Sequence, residues 1–156
     1  MAARSPRNRI DAATRNALIA RGQAELGRYL TYLEGVRGRS AHTLRNYRND
    51  IAAFLAFLAE RGREFDRAGR TDGRAYLAQA REAELAPASV KRQATTIKAF
   101  YRWVDREGRL PPAEPGDSIL MLRYPKAPKL LPHFLSAEEA DALLRSEEHT
   151  SELQSR

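Results

Sequence analysis

Between Pro87 and Gly108 the apolar residues Val90, Ala94, Ile97, Tyr101 and Val104 recur at intervals of three and four, with Phe100 on their flank. That spacing predicts a helix with one stripe turned inward. Pro87 suits its first turn, where a missing N–H does no harm, and Gly108 ends it. Upstream, Leu26, Tyr29, Leu30 and Leu33 share one side of a helix expected from about Gln23 to Glu34, closed by Gly35 and Gly38. Ser40 has the oxygen and the position of an N-cap for the next helix, with the apolar face Leu44, Tyr47, Ile51, Phe54, Leu55 and Leu58. Gly62 closes it. A shorter helix capped by Thr71 runs to near Leu85 with Tyr76, Leu77 and Ala80 inward, although Gly73 within it costs roughly 1 kcal/mol against alanine. The expected fold over 23–108 is therefore an all-α, four-helix bundle.

The flanks differ. Residues 1–22 hold Arg4, Arg7, Arg9, Arg15 and Arg21 against the single acid Asp11, a basic N-terminal extension that is loose or partly helical. Organelle transit peptides share this balance, but Ile10, Leu18 and Ile19 fall on no common helical face. From 109 to 135 prolines 111, 112, 115, 125, 128 and 132 rule out continuous helix, and this stretch reads as a connector. Its Arg123, Lys126 and Lys129 suit a phosphate backbone or a soluble linker equally. Ser136 with Glu139 forms a capping box before Ala140, Leu143 and Leu144, so 136–144 opens a further helix. Residues 145–156 resemble the translation of a sequencing-adapter oligonucleotide more than a natural acidic tail.

Charge adds a question to this pattern. Opposite its apolar stripe, the Pro87–Gly108 helix carries Lys91, Thr95, Lys98, Arg102 and Arg106 with no acid among them. The Ser40–Gly62 helix carries His42, Arg45, Asn46 and Asn49 opposite its own, with Arg48 nearer the boundary. Short amides and guanidinium groups suit base edges and phosphates. An ordinary solvated helix face shows the same pattern. The whole chain has a formal charge of +7 and a pI near 10.1, which favours an anionic partner: nucleic acid first, a membrane surface second.

Composition excludes several chemistries. There is no cysteine, hence no disulfide, thiolate metal site or cysteine nucleophile. His42, His133 and His149 are too scattered for a metal-site spacing. The longest apolar run, Ile51 to Ala59, falls well short of the ~20 residues a membrane-spanning helix needs. Tyr47 and Tyr101 lie on inward faces and read as core.

The segments S-A-H-T-L-R-N-Y-R-N-D-I-A-A-F-L-A-F-L from Ser40, R-A-Y-L from Arg74, A-S-V-K-R from Ala88 and A-F-Y-R-W from Ala99 closely resemble the N-terminal core-binding domain of Xer-type tyrosine recombinases, the SAM-like domain of phage integrases. P-K-A-P-K-L-L-P-H-F-L-S from Pro125 resembles that family's linker into its catalytic domain. Ala86 departs from it where a serine cap is usual, and Gly73 where a branched apolar residue is usual.

The resemblance implies a small orthogonal SAM-like bundle that forms one jaw of a clamp on double-stranded DNA, in the cytoplasm, with other recombinase subunits as partners on the DNA. It implies candidate DNA contacts at His42, Thr43, Arg45 and Asn49, and at Ser89, Lys91, Arg92, Thr95, Lys98 and Arg102. The family's tyrosine nucleophile and its charge-stabilising residues belong to a second domain, so this chain as given is expected to bind without cutting. Strand exchange in the parent needs no metal or nucleotide cofactor. The spacing His42-x-x-Arg45 also occurs among the family's catalytic residues, but here it sits inside the first-domain pattern, with no histidine at position 46. A small helical protein-interaction module with a solvated basic surface is the alternative.

Overall fold

The computed structural model describes residues 10–124. Four helices succeed one another: α1 Ala12–Gly35, α2 Ala41–Glu60, α3 Arg70–Glu82 and α4 Pro87–Arg106. Short 3-10 turns occupy Phe65–Arg67 and Ile119–Met121, and no strand forms among the described residues beyond an isolated bridge between Gly69 and Ser118. The class is all-α, as the periodicity predicts. Expectations placed on residues 1–9 and 125–156, including the second half of the linker, the Ser136 capping box and the terminal twelve residues, lie outside the described residues.

The stripes read from the sequence supply most of the core. Val90, Ile97, Phe100, Tyr101 and Val104 of α4 are fully buried, against Leu26, Tyr29 and Leu30 of α1 and Ile51, Phe54 and Leu58 of α2. Burying each such side chain stabilises the fold by about 1.5–3 kcal/mol. Trp103 and Phe100 meet Tyr29 with ring centroids 5.2 and 5.5 Å away, so an aromatic cluster closes the seam between α1 and α4. Ser40 caps α2 as expected, its Oγ accepting the Thr43 N–H at 3.3 Å. Gly62 ends that helix at φ +68, a left-handed conformation that glycine adopts without steric penalty.

Three features depart from the expectation. First, α1 begins at Ala12, not near Gln23, with Asp11 capping Thr14 through a 2.8 Å bond. Its early turns are held by polar contacts and close approach, not by a stripe. Arg21 reaches Glu64 at 2.7 Å and Asp66 at 2.8 Å, and Gly22 is buried against Leu55. Residues 12–22 of the extension, expected to be loose or partly helical, are thus helix, exposed over 12–17 and packed on the body toward Gly22.

Second, Thr71 is not the cap of α3. The helix starts at Arg70, and Asp117 from the far side of the chain closes its end. The Asp117 carbonyl accepts the Arg70 N–H at 2.8 Å, and its carboxylate accepts both the N–H and the hydroxyl of Thr71, at 2.8 and 2.7 Å. Asp72 folds back to accept the Gly69 N–H at 3.0 Å, half of a capping box, since Gly69 has no side chain to complete it.

Third, the start of the expected connector belongs to the bundle. Ile119 and Leu122 are 1% and 2% exposed, packed beside Gly73. Arg109 anchors the exit from α4 by donating to the buried Glu25 at 2.9 Å while stacking over Trp103. Prolines forbid helix here, but they do not forbid docking.

Candidate nucleic-acid interface

Beside the Phe54–Tyr101 packing of the core, one ion pair ties α2 to α4. Asp50, 4% exposed on α2, accepts from Arg92 of α4 through both carboxylate oxygens, Nε to Oδ2 at 3.0 Å and Nη2 to Oδ1 at 2.9 Å. This fork is the bidentate geometry in which a guanidinium binds a carboxylate best. The bond raises the Arg92 pKa still further above its ordinary value. Half of the Arg92 side chain remains exposed, so the pair lies at the solvent side of the seam.

From that pair the polar faces run outward in both directions. At 100° per residue, Asn46, His42, Asn49 and Arg45 follow Asp50 around α2, and Thr95, Arg102, Lys91 and Lys98 follow Arg92 around α4. His42, Arg45 and Asn49 are exposed, as are Lys91, Thr95 and Arg102. The Asp50–Arg92 pair stands at the edge of both faces. On both helices the acids are limited to Asp50, Glu60 and Asp105, of which Asp50 is neutralised by Arg92.

Individual candidates differ in freedom. The Asn46 amide nitrogen lies 3.2 Å from His42 Nε2, which ties the imidazole to its own helix. Thr43 is half-buried and its hydroxyl pairs with Ser40 Oγ at 3.0 Å, so it serves the cap of α2. Ser89, also half-buried, gives its N–H to the Ala86 carbonyl in the first turn of α4, where Ala86 offers no side-chain cap. The Thr95 hydroxyl donates to the Lys91 carbonyl at 3.0 Å. Arg92 is occupied by Asp50 through Nε and Nη2, which leaves Nη1 for an outside ligand. Arg106 leaves the stripe altogether: it lies over the Tyr32 ring and donates to the Tyr32 hydroxyl at 3.2 Å.

The sequence reading passed over a basic row on α3. Arg70, Arg74 and Arg81 stand at i, i+4 and i+11, which is one helical face. With Lys98 of α4 and Arg123 they line a groove of about 760 Å³ whose lining also includes Leu77, Leu120 and Met121. The i, i+4, i+11 spacing was the available signal. Among the described residues no three His, Cys, Asp or Glu side chains gather as a metal site, and no helix is long and apolar enough to cross a membrane.

Residues 26–108, which comprise α2, α3, α4 and the C-terminal part of α1, match the family model described as phage integrase, N-terminal SAM-like domain. The chain belongs to this family. Its similarity extends to tyrosine recombinase XerC of Rhodospirillum centenum, 44% identical in an alignment 126 residues long that covers 76% of this chain and 36% of that protein. Tyrosine recombinase XerC of Oceanobacillus iheyensis is 33% identical over 80% of this chain and 40% of its own length, and that of Myxococcus xanthus 37% identical over 76% and 38%. The chain thus spans between 36% and 40% of these relatives. No solved structure matches it.

Tyr101 and Tyr47, both read as core residues from the sequence, differ in their burial. Tyr101 is fully buried and donates to the Phe65 carbonyl at 2.7 Å, and burial, with the Asp66 and Asp72 carboxylates, pushes its pKa well above the ordinary phenol value. Tyr47 is half-buried against Tyr29, with ring centroids 6.1 Å apart. The His42-x-x-Arg45 pair lies on the exposed face of α2, not in a cleft.

Proposed function

We propose that this SAM-like domain is the DNA-binding jaw of a site-specific tyrosine recombinase, and that α2 and α4 lay their adjoining polar faces along the major groove of duplex DNA. The observation that carries this reading is the Asp50–Arg92 fork, which ties together the two helices that carry the exposed cations and amides. Asn49 and Arg45, through amide and guanidinium, and His42, through its imidazole, have polar groups suited to base edges. Lys91, Lys98 and Arg102 reach phosphates, where a flexible cation positions the domain without reading sequence. Thr43, Ser89 and Thr95 contribute their hydroxyls, and Arg92 contributes its remaining Nη1. Cleavage and rejoining of strands by a tyrosine nucleophile fall to another domain of the parent enzyme, which works with further recombinase subunits on the DNA.

The test is a salt titration of the full chain with a fluorescent duplex, read by anisotropy. Log K falls by about 0.9 per log unit of salt for each phosphate neutralised. Lys91→Ala and Arg102→Ala each make the slope shallower by about that amount. A chain that fails to bind duplex DNA at low salt, yet captures a stoichiometric protein partner, overturns this reading in favour of a protein-interaction module.

A further inference from the structure

We propose that the groove between α3, α4 and the Ile119–Met121 turn is a second phosphate track, which holds one backbone strand of the duplex while α2 and α4 face the bases beside it. This rests on the duplex-binding reading above and extends its footprint to a helix that reading does not use.

The distribution of ion pairs is the first argument. Arg21, Arg28, Arg61, Arg63, Arg92 and Arg109 each meet an acid within the fold. Among the described residues none of the groove cations, Arg70, Arg74, Arg81, Lys98 and Arg123, does so, and no acid stands in the groove lining. Asp117, close enough to Arg70 for that charge to help lower its pKa, is bound to Thr71 and lines a separate cleft with Arg63 and Arg67. Like charges around a concave surface repel one another and focus a positive potential that a polyanion relieves.

Continuity is the second argument, and it selects the occupant. Lys98 belongs both to the basic face of α4 and to the groove, and so links the cations of α4 to those of α3. Arg70 to Arg81 covers about 16 Å of helix axis. A strand of duplex DNA presents a phosphate about every 3.4 Å of its own axis, so several fall within reach of that row. Met121, 50% exposed at the groove edge, offers an apolar surface for the CH groups of deoxyribose.

Salt titrations of the full chain with a fluorescent duplex test this. Arg74→Ala and Arg81→Ala each reduce the slope of log K against log salt by about 0.9, leave preference among duplex sequences unchanged, and leave the helical circular dichroism intact. An unchanged slope in both, while Lys91→Ala still lowers it, overturns the second track and leaves the α2–α4 reading standing. No change in any of the three overturns both. Capture of a polyglutamate peptide that Arg74→Ala and Arg81→Ala abolish, with duplex affinity and slope as in the wild type, assigns the groove to an acidic protein segment and also overturns the proposal. If the alanine variants unfold, Arg74→Lys and Arg81→Lys, which keep the charge, retain the slope, and its loss in them counts against a phosphate track.

Discussion

Gly73 of α3 leaves open the space that Leu122 fills: a Cβ at position 73 would stand 2.9 Å from both terminal methyls of Leu122 and 3.1 Å from Ile119 Cδ1. The glycine that weakens α3 as a helix is therefore what lets the post-α4 segment dock. Its helix penalty of roughly 1 kcal/mol is set against the burial of two large aliphatic side chains, each worth about 1.5–3 kcal/mol. Gly73→Val is expected to destabilise the domain by about 1–3 kcal/mol in urea unfolding, because overpacking forces the docked segment outward. Limited proteolysis should then cut within 109–124, where the wild type resists. Gly73→Ala is milder, since improved helix propensity offsets part of the clash with the flexible ends of Leu122. Equal protease resistance in Gly73→Val and wild type would show that the contact does not hold the segment.

The Asp50–Arg92 fork makes a prediction that runs against simple charge counting. Removing an acid beside a DNA surface ordinarily strengthens binding, since it takes away repulsion. Asp50→Ala is instead expected to weaken duplex affinity, because Arg92 loses the partner that sets α2 against α4. Arg92→Ala leaves a buried carboxylate unpaired and destabilises the fold by about 1–3 kcal/mol. A double-mutant cycle on thermal stability should give a coupling of about 0.5–3 kcal/mol between the two positions. Tighter DNA binding by Asp50→Ala would refute the positioning role.

Much of the bundle is legible in the sequence because each helix advertises a stripe and a stop. Val90 to Val104, Ser40 before α2, and the glycines at 62 and 108 carry purely local information, and all sit where periodicity and capping place them. What escapes a reading by periodicity is contact between distant segments. The first turns of α1 are secured by Arg21 on Glu64 and Asp66, and the start of α3 by Asp117, pairs separated by some forty residues and more. Nothing near Arg21 or Thr71 announces those partners. The faces of α2 and α4 follow from the wheel, and their adjacency requires Asp50 to meet Arg92. Neither the engagement of Arg92 by Asp50 nor the departure of Arg106 to Tyr32 is written in the spacing of either helix.

Docking of the post-α4 segment should respond to acid. Hydrogen bonds from the Thr71 hydroxyl and N–H hold the Asp117 carboxyl below its ordinary value of 3.8, with the Arg70 and Arg63 charges adding to the effect. A folded value below the unfolded one means that the unfolded or undocked chain takes up the proton more readily. The contribution is thus complete above the ordinary carboxylate range and is lost as pH falls through the depressed value. Proteolytic or hydrogen-exchange protection of 109–124 should therefore fade below about pH 4 in the wild type. Asp117→Asn, which keeps the acceptor oxygen but cannot titrate, should show lower protection at neutral pH and a flatter dependence on acid. Identical acid profiles for the two proteins would remove Asp117 as the responsible group.

Tyr101 offers the sharpest separation between a structural and a chemical tyrosine. Its hydroxyl is sealed in the core on the Phe65 carbonyl, and ionisation is opposed first by burial and then by the charges of Asp66 and Asp72. A phenol so placed can neither reach a phosphodiester nor supply a phenolate near neutral pH. Tyr101→Phe leaves that carbonyl without its partner and is expected to destabilise the domain by about 1–3 kcal/mol, with duplex affinity unchanged at temperatures where the variant is folded. Incubation of the wild-type chain with a nicked duplex, followed by denaturing electrophoresis, should yield no covalent protein–DNA species. A covalent adduct that Tyr101→Phe abolishes would turn the residue from a core hydrogen-bond donor into a nucleophile and would require the core to open around it.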